Sequence, residues 1–362
     1  MEEFPQELVD QVIDDVAASK SIADLKTCGS VCRRWLHRSR SHLFCHITLR
    51  CTRPIALRRF MNLVDGSSVP ILSFVQSLDI FGILGDQHVT LLLNCAALTK
   101  LCIYMSGSGG SIFWNWLQAN IPRFGASCSS LAHLELVGLG GDLPLRAIVT
   151  AISGSPSLTH LRISSEDSIH GVLGDDTVLA TEAFPRHLHS LDISLSRGTD
   201  LFFEWILSHQ KPPVFTSLKL GGWANGARTG PIDAYFQLVG PQIESLSLKY
   251  WIVDEDLDAF EQRAMAHTTN LVHLAIFRQY SASLPAKFAS LSSARLATIS
   301  IEVRPYQGLV RADWPAMDET LATAQFAALR RISFTNHSTQ GAVITARVRA
   351  LMPRANARAI LD

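Results

Sequence analysis

The sequence predicts an α/β fold in which a short helical N-terminal module precedes a solenoid of parallel strands, with roughly ten to eleven repeats. A Leu-x-x-Leu-x-Leu template, with Ile, Val or Phe allowed at its apolar positions, recurs along most of the chain. Segments with helical spacing of apolar residues lie between several of these templates. The residues before Phe44 contain no template and show helical spacing only. Strand and helix alternate at spacings that vary from 23 to 33 residues, which indicates a degenerate repeat architecture.

The template predicts the strands. Neighbouring templates are on average about 28 residues apart. In each one the apolar pair, such as Leu134 and Leu136, faces one side of a short strand, and the intervening residue, here Glu135, faces the other. Phe44–Leu49 also fits and predicts an eleventh strand directly after the helical module. The central residues of the other ten are Leu78, Leu101, Leu134, Leu161, Leu191, Leu218, Leu246, Leu274, Ile299 and Ile332.

Helical spacing between the strands predicts the return segments of the repeats. The acidic run Asp254-Glu255-Asp256 suits a helix N-terminus, where negative charge complements the helix dipole. These repeats resemble the leucine-rich repeat, although most lack the Asn that this family carries after the strand. The predicted solenoid covers residues 47–362. Its predicted helices include Leu145–Ile152, Leu201–His209, Ile232–Val239, Asp254–Met265 and Gln340–Leu351.

The spacing of apolar residues predicts a module of three helices over residues 1–46. Pro5 suits a first helical turn, and the residues that follow give an apolar stripe. Charge is divided: residues 1–24 hold seven acids and one Lys, whereas residues 25–59 hold nine Lys or Arg and no acid. Such a division can join one helix to the next or present two faces to a partner. About forty residues is close to the lower limit for an independently stable fold, so the module needs a partner or the solenoid.

The order of motifs in this module resembles an F-box. The sequence has Phe4-Pro5-Gln6-Glu7-Leu8, then Asp24-Leu25, then Val31-Cys32-Arg33-Arg34-Trp35. The usual form is Leu-Pro-x-Glu-Leu, a downstream Asp-Leu, and Val-Cys-[Lys/Arg]-x-Trp. Phe4 departs from the usual Leu by a conservative apolar change. The resemblance covers about 45 residues, and an F-box followed by leucine-rich repeats is a known pairing.

The resemblance implies a function. Such proteins are non-catalytic substrate receptors of Skp–cullin–RING ubiquitin ligases, in which the F-box binds the Skp adaptor and the second domain binds the target protein. The implied adaptor-binding residues, in or beneath the interface, are Pro5, Leu8, Ile13, Leu25, Val31, Cys32 and Trp35. The same residues can instead simply form a three-helix core. A leucine-rich-repeat scaffold with no role in ubiquitination is therefore the alternative.

The outward positions of the predicted sheet are the candidate target-binding residues, because a solenoid commonly binds through its concave face. Aromatic residues on an exposed sheet are frequent hot spots. Phe81 and Tyr104 can also pack merely on each other across adjacent strands. The candidates are Phe81, Tyr104, Glu135, Arg162, Lys219 and Phe277.

Other chemistry has weak support in the sequence. Cys28, Cys32, His37 and His42 approach zinc-ligand spacing, but only four residues separate the two pairs. Ser106–Ser111 is glycine-rich and follows a predicted strand, yet no Lys follows to make a phosphate-binding loop, so a nucleotide enzyme or sensor is the weakest hypothesis. His133, His160 and His273 share one strand position, but Ser190 and Ser217 interrupt the series. We expect no catalytic residues, no metal and no cofactor.

Composition limits the partners and the compartment. The chain has 362 residues and a formal net charge of zero, which does not favour a nucleic-acid partner. No apolar stretch approaches the ~20 residues that span a bilayer, so we expect no membrane association. The acidic start Met1-Glu2-Glu3 does not resemble a secretory signal, and the seven cysteines show no disulfide spacing. We therefore expect a cytoplasmic or nuclear protein.

Overall fold

The computed structural model describes residues 5–51, 54–67, 70–82, 94–105, 120, 128–138, 143–170, 184–222, 228–250, 255–278, 284–302, 313–335 and 341–362. The chain forms two compact units. The first contains residues 1–141, 146–159 and 183–187, and the second contains residues 142–145, 160–182 and 188–362. The helical module therefore shares its unit with the first strands, and the division between the units falls within the repeats.

Three helices begin the first unit: α1 (Gln6–Ala18), α2 (Ile22–Val31) and α3 (Arg33–Phe44). The Ser21 hydroxyl accepts a hydrogen bond of 3.3 Å from the Asp24 backbone N–H and so caps α2. The extended backbone of Cys32 separates α2 from α3. The apolar stripes of α1 and α2 supply the buried centre of the module, which consists of Val9, Ile13, Leu25 and Cys28 with Val16, Ala17, Trp35 and Leu43 packed against it.

Four parallel strands complete the sheet of the first unit. They are β1 (His46–Arg50), β2 (Ser77–Phe81), β3 (Lys100–Tyr104) and β4 (His133–Val137), and they pair in chain order. The central template residues are in register, with Leu78 opposite Leu101 and Leu101 opposite Leu134. Helix α4 (Pro54–Asp65), a 3₁₀ turn at Ile71–Phe74 and helix α5 (Leu145–Ser153) lie between or after these strands.

The helical module is attached directly to the first strand pair. The Cys45 carbonyl, at the end of α3, accepts hydrogen bonds from the backbone N–H groups of Ser77 (2.8 Å), the first residue of β2, and of Gln76 (3.0 Å), which precedes it. The rings of His37 and Phe74 meet edge to face at 5.0 Å. The eleventh strand expected at Phe44–Leu49 is confirmed as β1, so the module is continuous with the repeats of its unit.

The second unit alternates strands and helices. Among the described residues, its seven main strands pair in chain order and in parallel, and a short strand, β5 (Leu143–Pro144), pairs with the first of them. The strands are β6 (His160–His170), β7 (Ser190–Arg197), β8 (Ser217–Gly221), β9 (Ser245–Tyr250), β10 (His273–Arg278), β11 (Thr298–Glu302) and β12 (Arg331–Thr335). The helices are α6 (Thr199–Leu207), α7 (Gly230–Val239), α8 (Glu255–His267), α9 (Leu284–Ser290), α10 (Trp314–Leu321), α11 (Gly341–Leu351) and α12 (Pro353–Ala357).

Alternating burial along the strands explains this arrangement. On β7, Leu191 and Ile193 are buried and Asp192 between them is half-buried on the opposite, polar face. The helices cover the apolar face with aromatic side chains that contact one another from repeat to repeat, as Phe203 does with Tyr235 at 5.1 Å between ring centroids. Burying such rings accounts for much of the stability of a core. The strands and helices predicted from the periodicity are confirmed where the structure describes them.

Residues at the end of the described chain cover the last strand. The Ile332 N–H donates to the Ile360 carbonyl at 2.6 Å, and the Asp362 N–H donates to the Ile332 carbonyl at 2.9 Å. A covered edge strand cannot pair with another chain. None of the helices in the described part of the chain combines the length and apolarity needed to cross a membrane.

Candidate functional site

The structure separates the predicted adaptor-binding residues into two groups. Ile13 and Leu25 are buried in the centre of the helical module, and Trp35 packs against that centre while partly exposed. These three side chains hold the helices together and lie beneath any interface. The exposed members of the set are Pro5, Leu8, Val31 and Cys32.

Exposed apolar side chains concentrate near this module. Among the described residues, seven large apolar side chains are exposed, and six of them lie between residues 8 and 63. Leu8 and Val12 are one turn apart on α1, and Ile22 and Val31 are on α2. We use the name apolar helix surface for these four exposed residues as a set, although Ile22 and Val31 stand at opposite ends of α2: Leu8, Val12, Ile22 and Val31. Val12 and Ile22 were not predicted as site residues, because the sequence stripe on α1 does not show which of its members face the core.

A charged cluster holds α1 on α3. The Arg38 guanidinium donates two hydrogen bonds to the Asp14 carboxylate, at 2.7 and 2.6 Å, and the His42 ring approaches the same carboxylate at 2.6 Å. The bonds from Arg38, and then from His42, lower the pKa of Asp14 from 3.8 to about 2. Paired bonds from one guanidinium fix geometry as well as charge. The acidic α1 and the basic α3 are thus joined, which is one of the two roles that the charge division allowed.

The polar sheet face of the first unit carries two local pairs. The rings of Phe81 and Tyr104 are stacked with centroids 4.5 Å apart, so these side chains pack on each other across adjacent strands. The Lys100 ammonium lies 3.1 Å from the Glu135 carboxylate. Phe81, Tyr104 and Glu135 therefore lie on one partly exposed face, and they are already partnered within the protein.

The polar sheet face of the second unit carries a row of alternating charge. Asp192 on β7 lies between the two predicted target-binding cations, accepting a hydrogen bond from Lys219 Nζ at 2.7 Å and lying 3.3 Å from Arg162 Nε. The register places Arg162, Asp192 and Lys219 on adjacent strands β6, β7 and β8. Phe277, the remaining predicted residue, is in β10, opposite Lys249 of β9.

A second row, one outward position further along the strands, consists mostly of small residues. Ser164, Ser194 and Gly221 are in register, and Gly221 is opposite Lys249. A cavity of about 340 Å³ opens where these small side chains leave space beside the charged row. Small-molecule sites begin near 300 Å³, so this cavity is large enough for a ligand group. The sequence shows both rows, but not the cavity between them.

Three of the cysteines have structural positions. Cys28 is in the core of the helical module, and Cys95 and Cys128 are buried in the turns before β3 and β4. Burial raises the pKa of Cys95 to about 12 and that of Cys128 to about 11, which keeps both thiols protonated and unreactive. No group of three or more His, Cys, Asp or Glu side chains that could hold a metal occurs among the described residues.

The strand histidines and the glycine-rich segment are the remaining features that the sequence suggested as possible sites. His273 Nδ1 lies 2.7 Å from Thr298 Oγ1, and the His160 ring meets the His189 ring at 4.9 Å. Each of these histidines therefore has a partner on a neighbouring repeat. The glycine-rich segment Ser106–Ser111 lies outside the described residues.

Comparison with known proteins identifies no family. No protein-family model matches the chain, and no curated protein matches it. Among solved structures, the chain is similar to a Bacteroides fragilis protein determined by a structural-genomics consortium. The two share 12% sequence identity over 80% of this chain and 73% of the other, with a TM-score of 0.41.

Proposed function

We propose that the protein is a non-catalytic substrate-recognition subunit of a Skp–cullin–F-box ubiquitin ligase, active in the cytoplasm or nucleus. In this proposal the helical module binds a Skp adaptor, which connects it to the cullin–RING ligase, and the repeats bind the target protein. The observation that carries the proposal is the apolar helix surface. Two of its members, Leu8 and Val31, belong to the F-box-like motifs, and both are exposed although they are apolar.

Burial supports the same assignment. Exposed apolar side chains that occur singly need no explanation, whereas Leu8 and Val12 are one turn apart on α1 and are exposed together. Leu8 is 45% exposed and Val31 is 59% exposed, whereas their motif neighbours Ile13 and Leu25 are buried. A motif that served only the core would bury both groups. The exposed half of the motif is what a partner protein can contact.

The repeats suit the second half of the proposal. Their polar face carries the stacked Phe81 and Tyr104 in one unit and the charged row around Asp192 in the other. The attachment of Cys45 to Gln76 and Ser77 holds the helical module firmly on its own strands. A ligase must hold its target at a defined position, and a firm attachment at this point favours that.

The test is adaptor binding by the full chain. We expect the protein to co-purify with a co-expressed Skp adaptor. The double substitution Leu8→Ala and Val31→Ala should weaken adaptor binding by about thirtyfold, since central hot-spot losses are about 2 kcal/mol or more. The control is Ile55→Ala, which truncates an exposed apolar side chain on α4 outside the apolar helix surface. Unchanged adaptor affinity in the folded double variant would overturn the proposal.

The alternative is a repeat scaffold whose first helices only cover the first strand pair. The observation that favours it is the same attachment between Cys45 and β2, together with the contact of His37 on Phe74. Deleting residues 1–43 should lower the melting midpoint under either function, because the deletion removes that contact. Only the receptor function also requires adaptor binding. The scaffold would therefore be favoured if the full chain bound no Skp adaptor while the deletion lowered the melting midpoint.

A further inference from the structure

We propose that the outer edge of strand β1 binds an extended acidic segment of a partner protein, which joins the sheet as one further strand. We call this side of β1 the open edge, and its residues are His46, Thr48 and Arg50. The contact is separate from the adaptor and target contacts of the proposed function. Its test uses neither an adaptor nor a target, so the two proposals can fail separately.

Strand β1 is the first strand of the sheet and pairs only with β2. The Cys45 carbonyl accepts a hydrogen bond from the Ser77 N–H at 2.8 Å, and the Cys51 N–H donates to the Phe81 carbonyl at 2.7 Å. Backbone groups of successive strand residues point to opposite edges, so the odd-numbered residues of β1 bond to β2. The N–H and C=O groups of the open edge point away from β2 and have no partner among the described residues.

The apolar side of β1 is also incompletely covered. Ile47 is the central template residue of this strand, in register with Leu78, and it is only half-buried. The central residues of the other ten templates are at most 4% exposed. On the last strand, Ile332 is fully buried and residues 360–362 pair with it. The described chain thus covers its last strand and leaves its first strand without a cover.

Charge favours an acidic occupant. The side chains of the open edge are exposed, and the surrounding residues 25–59 hold nine Lys or Arg and no acid. The Arg50 guanidinium lies 5.9 Å from the centre of the Phe81 ring and has no ion pair within the described part of the chain. Opposite charges facing each other across paired strands are stabilising, and like charges are destabilising. The occupant should therefore place carboxylates beside Arg50.

The alternation of a strand gives the rest of the pattern. Residues of the added strand that share the polar face meet His46 and Arg50, and the residues between them share the face of Ile47. The segment that fits best consequently alternates acidic and apolar residues. In strand addition the main-chain hydrogen bonds supply affinity, and the alternate side chains supply specificity.

Two other roles for this edge explain less. Charged side chains on an edge strand often prevent it from pairing with other chains, but that role gives no reason for Ile47 to stay uncovered. A second copy of the chain would bring residues 25–59 against the same basic segment, which is unfavourable. An acidic strand avoids this repulsion, and repulsion of the wrong partners is part of how an interface becomes specific.

The experiment measures fluorescence anisotropy of labelled peptides with the full chain. The probe is a Glu-Val repeat about eight residues long, within the usual length of a strand. We expect it to bind at least about tenfold more tightly than a Lys-Val repeat of the same length, because the charges at the edge are positive. The same Glu-Val peptide with methyl groups on its amide nitrogens should also bind at least about tenfold more weakly, since it cannot donate main-chain hydrogen bonds.

Two variants of the protein test the same edge. Thr48→Pro removes an N–H that points away from β2, a position where an edge strand tolerates proline, and should weaken binding by about tenfold. Its matched control is Thr48→Val, which keeps the N–H. Arg50→Glu should weaken binding of the Glu-Val peptide several-fold and strengthen that of the Lys-Val peptide. Lys211→Glu, which makes the same change of charge at an exposed lysine of the second unit, should leave both affinities unchanged.

Each assignment can be overturned separately. Equal affinity for the Glu-Val peptide and its methylated form would overturn strand addition, and equal affinity for the Glu-Val and Lys-Val peptides would overturn the acidic occupant. If circular dichroism shows that Thr48→Pro does not fold, Arg50→Glu decides, because it keeps the backbone intact; an unchanged preference for the Glu-Val peptide would then overturn the site. Sedimentation of the chain alone tests the second copy: a dimer that Arg50→Glu abolishes would overturn the assignment to a different partner.

Discussion

Replacing Lys287 should lower the stability of the second unit more than replacing an exposed residue does. Lys287 is on α9 with its side chain fully buried, and its ammonium donates to Asp258 Oδ1 at 2.9 Å. It also contacts the carboxylate of Glu261, which is itself fully buried. Both acids come from α8, so this cluster joins two successive repeat helices.

The expected magnitude follows from what the substitution leaves behind. Lys287→Met keeps the volume of the side chain but removes the charge, so the Glu261 carboxylate stays in the interior without its cation. Removing one partner of a buried ion pair costs about 3–5 kcal/mol. A domain of ordinary stability has only about 5–15 kcal/mol in total. The substitution should therefore lower the urea midpoint substantially, while the exposed control Lys211→Met should change it little.

A compensating variant separates the charge from the packing. Lys287→Met combined with Glu261→Leu and Asp258→Asn removes all three charges of the cluster, and replacing a buried ion pair by apolar residues is often neutral or stabilising. We expect this triple variant to recover most of the lost stability. The assay is urea unfolding followed by tryptophan fluorescence and far-ultraviolet circular dichroism. The reasoning fails if Lys287→Met matches Lys211→Met, or if the triple variant is less stable than the single one.

Two further predictions concern the first unit. The lowered pKa of Asp14 means that this carboxylate contributes stability above its unfolded value near 3.8, and the contribution is lost as the pH falls toward 2. Acid titration of the wild type and of Asp14→Asn should show that the variant lacks this loss; parallel acid curves would contradict it. On β4, Leu134→Ala should cost about 2–5 kcal/mol because Leu134 is buried, whereas Glu135→Ala should stay within about 0.5 kcal/mol. Similar denaturant midpoints for these two variants would refute the assignment of the strand faces.

The register of the sheet could be read from the sequence because each repeat contains one template. The central residues Leu191, Leu218 and Leu246 are opposite one another across β7, β8 and β9, as alignment of the templates predicts. Hydrophobic periodicity specifies a strand face strongly, since a slip of one residue would turn the apolar pair toward water. The same periodicity located α6 to α8 to within a few residues.

Contacts between helices could not be read in this way. The cluster of Lys287 with Asp258 and Glu261 depends on which faces of α8 and α9 meet, and a helical stripe does not determine the angle between neighbouring helices. The apolar helix surface could not be predicted from the sequence for a related reason. Leu8 and Val12 belong to the same sequence stripe as the buried Val9, and only packing against α2 and α3 decides which of them is covered.

The cavity across strands β6 to β9 lies between these two cases. Its residues are some 27 to 30 positions apart in the sequence, from Arg162 through Asp192 and Lys219 to Lys249, and the parallel register brings them to adjacent strands about 4.8 Å apart. Alignment of the repeats therefore predicts which residues are neighbours. It does not predict that Ser194 and Gly221 leave a cavity, because that depends on the absence of side-chain volume in one row next to charge in the other. In a parallel repeat sheet a binding site is consequently composed of one small contribution from each repeat, and a single substitution such as Asp192→Asn changes the charge of the whole row.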